Sequence, residues 1–102
     1  MAKFVLAYTG GAMADTPEAQ EEVMAAWGAW FGTLGAAIVD PGNPFGASNR
    51  VSSSSAEGTA SSGLGGYSII EAADIAAASK LAGGCPVLSG GGAVDVYEAM
   101  PM

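Results

Sequence analysis

Apolar residues recur along this chain in short runs and spaced stripes, and the runs predict four strands. Residues 3–9 (KFVLAYT) form a mostly apolar run ended by two glycines, which is typical of a central strand covered on its inner face. Residues 66–72 (GYSIIEA) predict a second strong strand, and residues 36–39 predict a short one. Residues 93–97 (AVDVY) alternate, so their two valines share one face of a last strand.

A longer stripe predicts the first helix. Thr16 is a suitable N-cap, Pro17 suits the first helical position, and Gly35 suits the end. Five side chains at three- and four-residue spacing form its apolar face: Val23, Trp27, Trp30, Phe31 and Leu34. Gly28 and Gly32 lie four residues apart on a neighbouring face, where each costs about 1 kcal/mol of helix propensity relative to alanine. That cost predicts a close approach to a strand or to another helix.

Asp74 is a suitable N-cap for a short second helix that runs to Leu81. Three of its side chains are expected to face the core: Ile75, Ala78 and Leu81. Two glycines then stop this helix, and Pro86 prevents its restart. Between the two halves of the chain, the serine-rich residues 51–59 contain the turn AEGT and predict a hairpin of two short polar strands.

The predicted order is β-α-β-(hairpin)-β-α-β in a single domain, residues 1–102. Two such halves with right-handed crossovers give an α+β fold, a ferredoxin-like antiparallel sheet with both helices on one face. The other sheet face then needs a cover. Because 50% of the 102 residues are hydrophobic and a chain of this size has a modest core, we expect a second copy to supply that cover in a homodimer.

The charge of the chain excludes several partners. The net charge is −7, and the only cations are Lys3, Arg50 and Lys80. Nucleic acids and anionic membrane surfaces require clustered cations, so neither is expected as a partner. No apolar stretch is long enough to cross a membrane. Cys85 is the only cysteine, which excludes an intrachain disulfide and fits a reducing compartment, so we expect the protein in the cytoplasm.

The chain has no histidine, the one side chain whose ordinary pKa lies near neutrality. Ser-His and Cys-His nucleophile pairs are therefore excluded, in a homodimer as in one chain. One cysteine and scattered carboxylates do not make a zinc or iron site, and the glycine-rich stretches lack the GxxxxGKS/T phosphate-binding pattern. We expect neither a metal nor another cofactor.

The turn that follows residue 39 holds the best candidates for chemistry. Asp40 stands at a strand end beside Pro-Gly-Asn-Pro, where it could be a general base or an Asx-turn cap bonded to its own backbone. Arg50 could bind a carboxylate ligand, pair with Asp40, or form a surface salt bridge of little energy. Asn43 is a further candidate for ligand binding, and Ser48 and Asn49 are lesser ones.

Tyr8 and Tyr67 lie in predicted central strands, where a tyrosine can point its hydroxyl into a cavity. Packing in the core is the alternative for both. Trp27 and Trp30 are expected in the core or in dimer contacts rather than in a ligand cage. Cys85 lacks a basic neighbour, which indicates a buried structural thiol rather than a nucleophile.

Five segments in order carry a family resemblance: KFVLAY, VDPGNP, GGYSIIEA, GGCPVL and VDVYEAMPM. In this order and spacing the chain resembles the YCII-related proteins of the dimeric α+β barrel superfamily. The resemblance implies a homodimer in which two sheets pair face to face and enclose a cavity. YCII-like proteins are suspected of catalysis through a His-Asp arrangement near the end of the first strand, where this chain has Tyr8, Thr9 and Gly10. That departure argues against the same chemistry here.

Three functions follow as hypotheses. The first is a non-catalytic homodimer that binds a small, partly apolar or carboxylate-bearing molecule in a sheet-lined cavity. Its lining would include Tyr8, Asp40, Arg50 and Tyr67. The second is a cofactor-independent enzyme, since the superfamily includes lyases, isomerases and monooxygenases; Asp40 would be the base, and Arg50 or a tyrosine would stabilise the developing anion. The third is a structural dimer without a ligand.

Overall fold

A four-stranded antiparallel sheet forms the body of the protein in a computed structural model, which describes residues 1–10, 15–51, 53 and 63–101. Its strands are β1 (Ala2–Thr9), β2 (Ile38–Asp40), β3 (Leu64–Ala72) and β4 (Ala93–Ala99). The strand order is β2-β3-β1-β4, and every neighbouring pair is antiparallel. The α+β class and the antiparallel sheet are thus confirmed, in an order compatible with a ferredoxin-like fold. The hairpin predicted for residues 51–59 lies outside the described residues, apart from positions 51 and 53.

The helices begin where their capping residues predict. Helix α1 (Pro17–Leu34) starts after Thr16, whose side-chain oxygen accepts a hydrogen bond from the Ala19 amide at 3.1 Å. Helix α2 (Ile75–Ala82) starts after Asp74, whose carboxylate accepts from the Ala77 amide at 2.8 Å. Gly35 ends α1 at a φ of 54°, a conformation that glycine adopts without a steric penalty.

Both helices pack on the same side of the sheet. Alternate side chains of β1 and β3 meet residues from α1, from α2 and from the loop after α2, and together they form the buried core. Its members are Phe4, Leu6, Tyr8, Trp30, Leu34, Ile70, Ala72, Ala78, Ala82 and Cys85. Val94 and Val96 of β4 pack against this core, as the alternation in residues 93–97 predicts. None of the helices in the described ranges combines the length and the apolarity needed to cross a bilayer.

Trp30 joins the two helices. Its indole nitrogen donates a hydrogen bond to the Leu81 carbonyl at 3.2 Å, so its polar group is satisfied inside the core. Trp27 packs edge-on against Trp30, with ring centroids 5.7 Å apart, and against Tyr8 at 4.9 Å. Within one chain the two tryptophans therefore act as core residues.

Three helix predictions fail within the described part of a single chain. A β-carbon at Gly28 or Gly32 would meet none of the described atoms within 4 Å, so neither glycine makes a close approach to a strand or a helix there. Val23 is 43% exposed, because α1 is buried only toward its C-terminal end. Ile75 is 51% exposed, since α2 packs through its small residues Ala78 and Ala82 while its first turn remains in solvent.

Candidate functional site

The sheet face opposite the helices, called the open face below, carries the side chains that alternate with the core residues. On β1 these include Val5 and Ala7; Val5 lies opposite Ile69, and Ala7 lies opposite Tyr67. On the other side of β1, Val5 lies opposite Tyr97 and Ala7 opposite Asp95. Both helices lie on the other side of the sheet. The open face therefore has an apolar floor, formed by Val5, Ala7 and Ile69, with aromatic and acidic side chains beside it.

Ala7 has a single methyl group as its side chain and lies between the larger residues Tyr67 and Asp95. It is only 5% exposed, since larger side chains on the two neighbouring strands shield it. Tyr97, by contrast, is 59% exposed on the edge strand β4. A small residue between taller neighbours gives the open face a shallow depression.

Aromatic stacking defines one side of the depression. Tyr67 is partly buried, and its ring stacks on Phe45 with centroids 5.7 Å apart and an interplanar angle of 21°. Phe45 is held beside β3 because its amide donates to the Gly65 carbonyl at 2.9 Å. The stacked pair therefore sits on an ordered backbone, so its position does not depend on the ring contact alone.

The turn after β2 presses closely against β3. Gly42 has a φ of 76°, and a β-carbon there would overlap the Tyr67 carbonyl oxygen. The Tyr67 amide donates to the Asn43 carbonyl at 3.3 Å, which continues the sheet beyond β2. Glycine at position 42 is thus required by both conformation and space.

Asp40 has the local bond of an Asx turn. Its Oδ1 accepts a hydrogen bond from the Gly42 amide at 2.8 Å, which is the capping alternative that the sequence left open. Ile38 packs against the core, but a register shift between Ile38 and Asp40 places Asp40 opposite Ile69, a residue of the open face. One carboxylate oxygen thus stabilises the turn, at a position that borders the depression.

Tyr8 lies on the helix side, away from Tyr67. Its hydroxyl donates to the Ser68 hydroxyl at 2.7 Å, and Ser68 in turn donates to the Pro41 carbonyl at 2.6 Å. Burial raises the pKa of Tyr8 to about 12; nearby Cys85 adds to the rise and the bond with Ser68 opposes it. Tyr8 is therefore a core residue that links β1 to β3 and to the turn, and it does not line the depression.

The predicted site residues are brought together only in part. Asp40 and Tyr67 share the open face, and Asn43 contributes its backbone carbonyl beside Tyr67 while its side chain is exposed. Arg50 is exposed, and no hydrogen bond or ion pair within the described part of the chain joins it to Asp40, whose Oδ1 accepts from the Gly42 amide. The candidate site is thus the open face around Ala7, without Tyr8.

Sequence reasoning missed several members of this face. The alternation in residues 93–97 predicts that Asp95 and Tyr97 lie on the same side of their strand. It does not predict that this side is the sheet face on which Tyr67 lies. That placement depends on the strand order, which puts β4 beside β1. Phe45, beside the open face, and Ser68, on the helix side, carried no sequence signal, because each is selected by one contact across the fold: Phe45 with Tyr67, and Ser68 with Tyr8.

Two grooves border the molecule elsewhere. One, of about 570 Å³, lies on the helix side between Trp30, Leu34 and Leu81. The other, of about 320 Å³, lies beside Phe45 and includes Ser48, Asn49 and Leu64 in its lining. The second adjoins the stacked aromatic pair and extends the accessible surface next to the open face.

Within the described ranges, no three histidine, cysteine, aspartate or glutamate side chains lie close enough together to hold a metal ion.

Cys85 is buried, and burial raises the pKa of its thiol, an effect that a backbone hydrogen bond from Val87 opposes. A raised pKa reduces the thiolate fraction, so Cys85 is poorly suited to act as a nucleophile. The open face offers a ligand apolar contact, aromatic rings and carboxylates.

No protein-family model and no curated protein sequence matches this chain.

Proposed function

We propose that this protein is a YCII-like homodimer whose open faces pack against each other and bind a small, partly apolar molecule between them. The observation that carries the proposal is the apolar floor of the open face, formed by Val5, Ala7 and Ile69. Apolar residues on a sheet face opposite the helices favour a cover, since burial removes their surface from water. A second copy of the chain provides a cover of matching chemistry.

The size of the open face suits a dimer of moderate affinity. The four strands average about seven residues, and at a spacing of about 4.8 Å they give a flat area of roughly 450 Å² before side-chain relief is counted. Stable interfaces bury about 800 Å² on each partner. The open face therefore reaches that size only when its protruding rings contribute, and we expect dissociation at low protein concentration.

Space for a ligand follows from the relief of the same face. Packed sheets lie about 10 Å apart, a distance that large side chains from both sheets fill. At Ala7 the side chain is a single methyl group, so two facing sheets leave a gap there. Tyr67 and Asp95 flank that gap on the neighbouring strands. A binding protein is favoured over an enzyme that uses Asp40 as its base, because one oxygen of that carboxylate already caps the turn.

The proposal is tested by placing a charge on the open face. Val5→Glu should make the protein monomeric, because a carboxylate at the centre of the interface would have to lose its hydration. Met24→Glu, on the exposed surface of α1, adds the same charge and should leave the dimer intact. The measurements are light scattering after size-exclusion chromatography over a range of concentrations, with circular dichroism to verify folding. A wild-type protein that stays monomeric at high concentration would overturn the proposal.

A further inference from the structure

The charges of the open face are unequally placed. Lys3 and Glu71 lie directly opposite each other on β1 and β3, so their charges offset one another. Within the described sheet, Asp95 pairs with Ala7 and Asp40 pairs with Ile69, so neither carboxylate has a cation as its cross-strand partner there. The part of the face around the depression therefore has an excess of negative charge.

The aromatic residues favour positively charged ligands, as the carboxylates do. The face of a tyrosine or phenylalanine ring carries negative electrostatic potential and attracts cations. Tyr67, with Phe45 stacked on it, and Tyr97 place such rings around Ala7 and Val5. Rings and carboxylates thus select for positive charge by two different physical effects.

The spacing of the strands fixes the shape of a suitable ligand. Tyr67 and Asp95 flank Ala7 from opposite sides, so their strands lie about 10 Å apart. An apolar body over Ala7 can contact Tyr67 while a charged end approaches Asp95. In a homodimer the second sheet brings the same groups, which doubles the negative charge around the ligand.

We propose that the open face binds an organic amine, a molecule with one ammonium group and an aromatic or aliphatic body. This proposal rests on the proposed function, because the enclosed site exists only between two open faces. It replaces the expectation of a carboxylate-bearing ligand, which depended on Arg50 being part of the site. The ammonium group pairs with Asp95, and the apolar body lies over Ala7 against the ring of Tyr67.

Two probes of similar size and opposite charge test the proposal. The probes are 2-phenylethylammonium and 3-phenylpropionate, titrated into the wild-type protein at low ionic strength and followed by NMR chemical shifts. The cation should bind at least tenfold more tightly than the anion, with shifts at residues of the open face. Added salt should weaken binding of the cation, since the attraction is electrostatic.

Matched variants locate the charge that matters. Asp95→Asn should weaken binding of 2-phenylethylammonium at least fivefold. Glu22→Gln removes the same charge from the exposed surface of α1 and should leave binding unchanged. Equal or tighter binding of 3-phenylpropionate, an Asp95→Asn variant with unaltered affinity, or a dimer that binds neither probe would each overturn the proposal.

The oligomeric state of the same samples separates the two proposals. A monomer without binding would remove the proposed function and this inference together. A dimer that prefers the anion would keep the homodimeric binding protein and reject only the amine.

Discussion

At the scale of single residues, a buried chain of two hydrogen bonds fixes the centre of the fold. Tyr8 donates to Ser68, and Ser68 donates to the Pro41 carbonyl, so three separate segments share one polar connection. Ser68 is 1% exposed, and its hydroxyl has no access to water that could replace a lost partner. These two hydrogen bonds join the turn after Asp40 to the core and involve no side chain of the open face.

Tyr8 makes the stability of the protein sensitive to alkaline pH. Its pKa is about 12 in the folded protein and 10.0 without the fold, so above pH 10 the unfolded chain releases this proton first. Ionisation of Tyr8 should therefore leave the free energy of unfolding unchanged below pH 10 and should lower it between pH 10 and about 12. Each unit of pKa difference corresponds to about 1.4 kcal/mol.

Urea denaturation at several pH values checks this prediction, with Tyr8→Phe as the control. The variant should lose about 1 kcal/mol at neutral pH, because Ser68 loses its hydrogen-bond donor. Between pH 10 and 12 its stability should fall less steeply than that of the wild type. Parallel pH profiles for the two proteins would show that Tyr8 ionises normally in the folded state.

Gly42 is the residue on which the turn depends most. Gly42→Ala should destabilise the protein by about 2 kcal/mol or more, because its φ of 76° disfavours a side chain and the added methyl group would overlap the Tyr67 carbonyl. Gly46→Ala is the matched control in the same loop, where a β-carbon meets nothing within 4 Å, and it should change stability by less than about 1 kcal/mol. Thermal unfolding of both variants compares them directly, and similar midpoints would contradict this assignment.

At the scale of elements, α1 contains two glycines, Gly28 and Gly32, at positions where the described residues leave room for a larger side chain. Among the described residues, no atom lies within 4 Å of a β-carbon placed at Gly28 or Gly32, so alanine at either position should raise helix propensity without a clash. We expect Gly28→Ala and Gly32→Ala each to stabilise the protein by about 1 kcal/mol, measured by chemical denaturation. The reverse control, Ala29→Gly in the same exposed stretch, should destabilise it by a similar amount. Loss of stability in either alanine variant would mean that a neighbour approaches this surface.

At the scale of the whole molecule, the arrangement is one-sided. Both helices, and with them the tryptophans, bury one side of the sheet, while the other side keeps the apolar floor around Ala7. A net charge of −7 opposes association of two copies, and added salt should relieve that repulsion. An organic cation bound between the sheets would act in the same direction, so we expect the amine and the dimer to stabilise each other.

The sequence by itself determined the elements of this protein. Thr16 and Asp74 cap the helices as predicted, since capping depends on bonds three residues away. The strands and the antiparallel α+β class also followed from local alternation and apolar runs, although the strand predicted for residues 36–39 begins only at Ile38, after a 3-10 turn over Gly35–Ala37. The Asx turn at Asp40 was one of two local alternatives that the sequence offered.

Only the tertiary structure decided which side of the sheet each residue occupies. Tyr8 and Tyr67 look alike in sequence, yet the register of β1 and β3 places one in the core and the other on the open face. A strand's alternation separates its two faces but does not say which of them the helices will cover. The exposure of Gly28 was undetermined for the same reason, since packing partners come from segments distant in sequence. The surroundings of Ala7 in the candidate site depend on the strand order, which brings β3 and β4 to either side of β1.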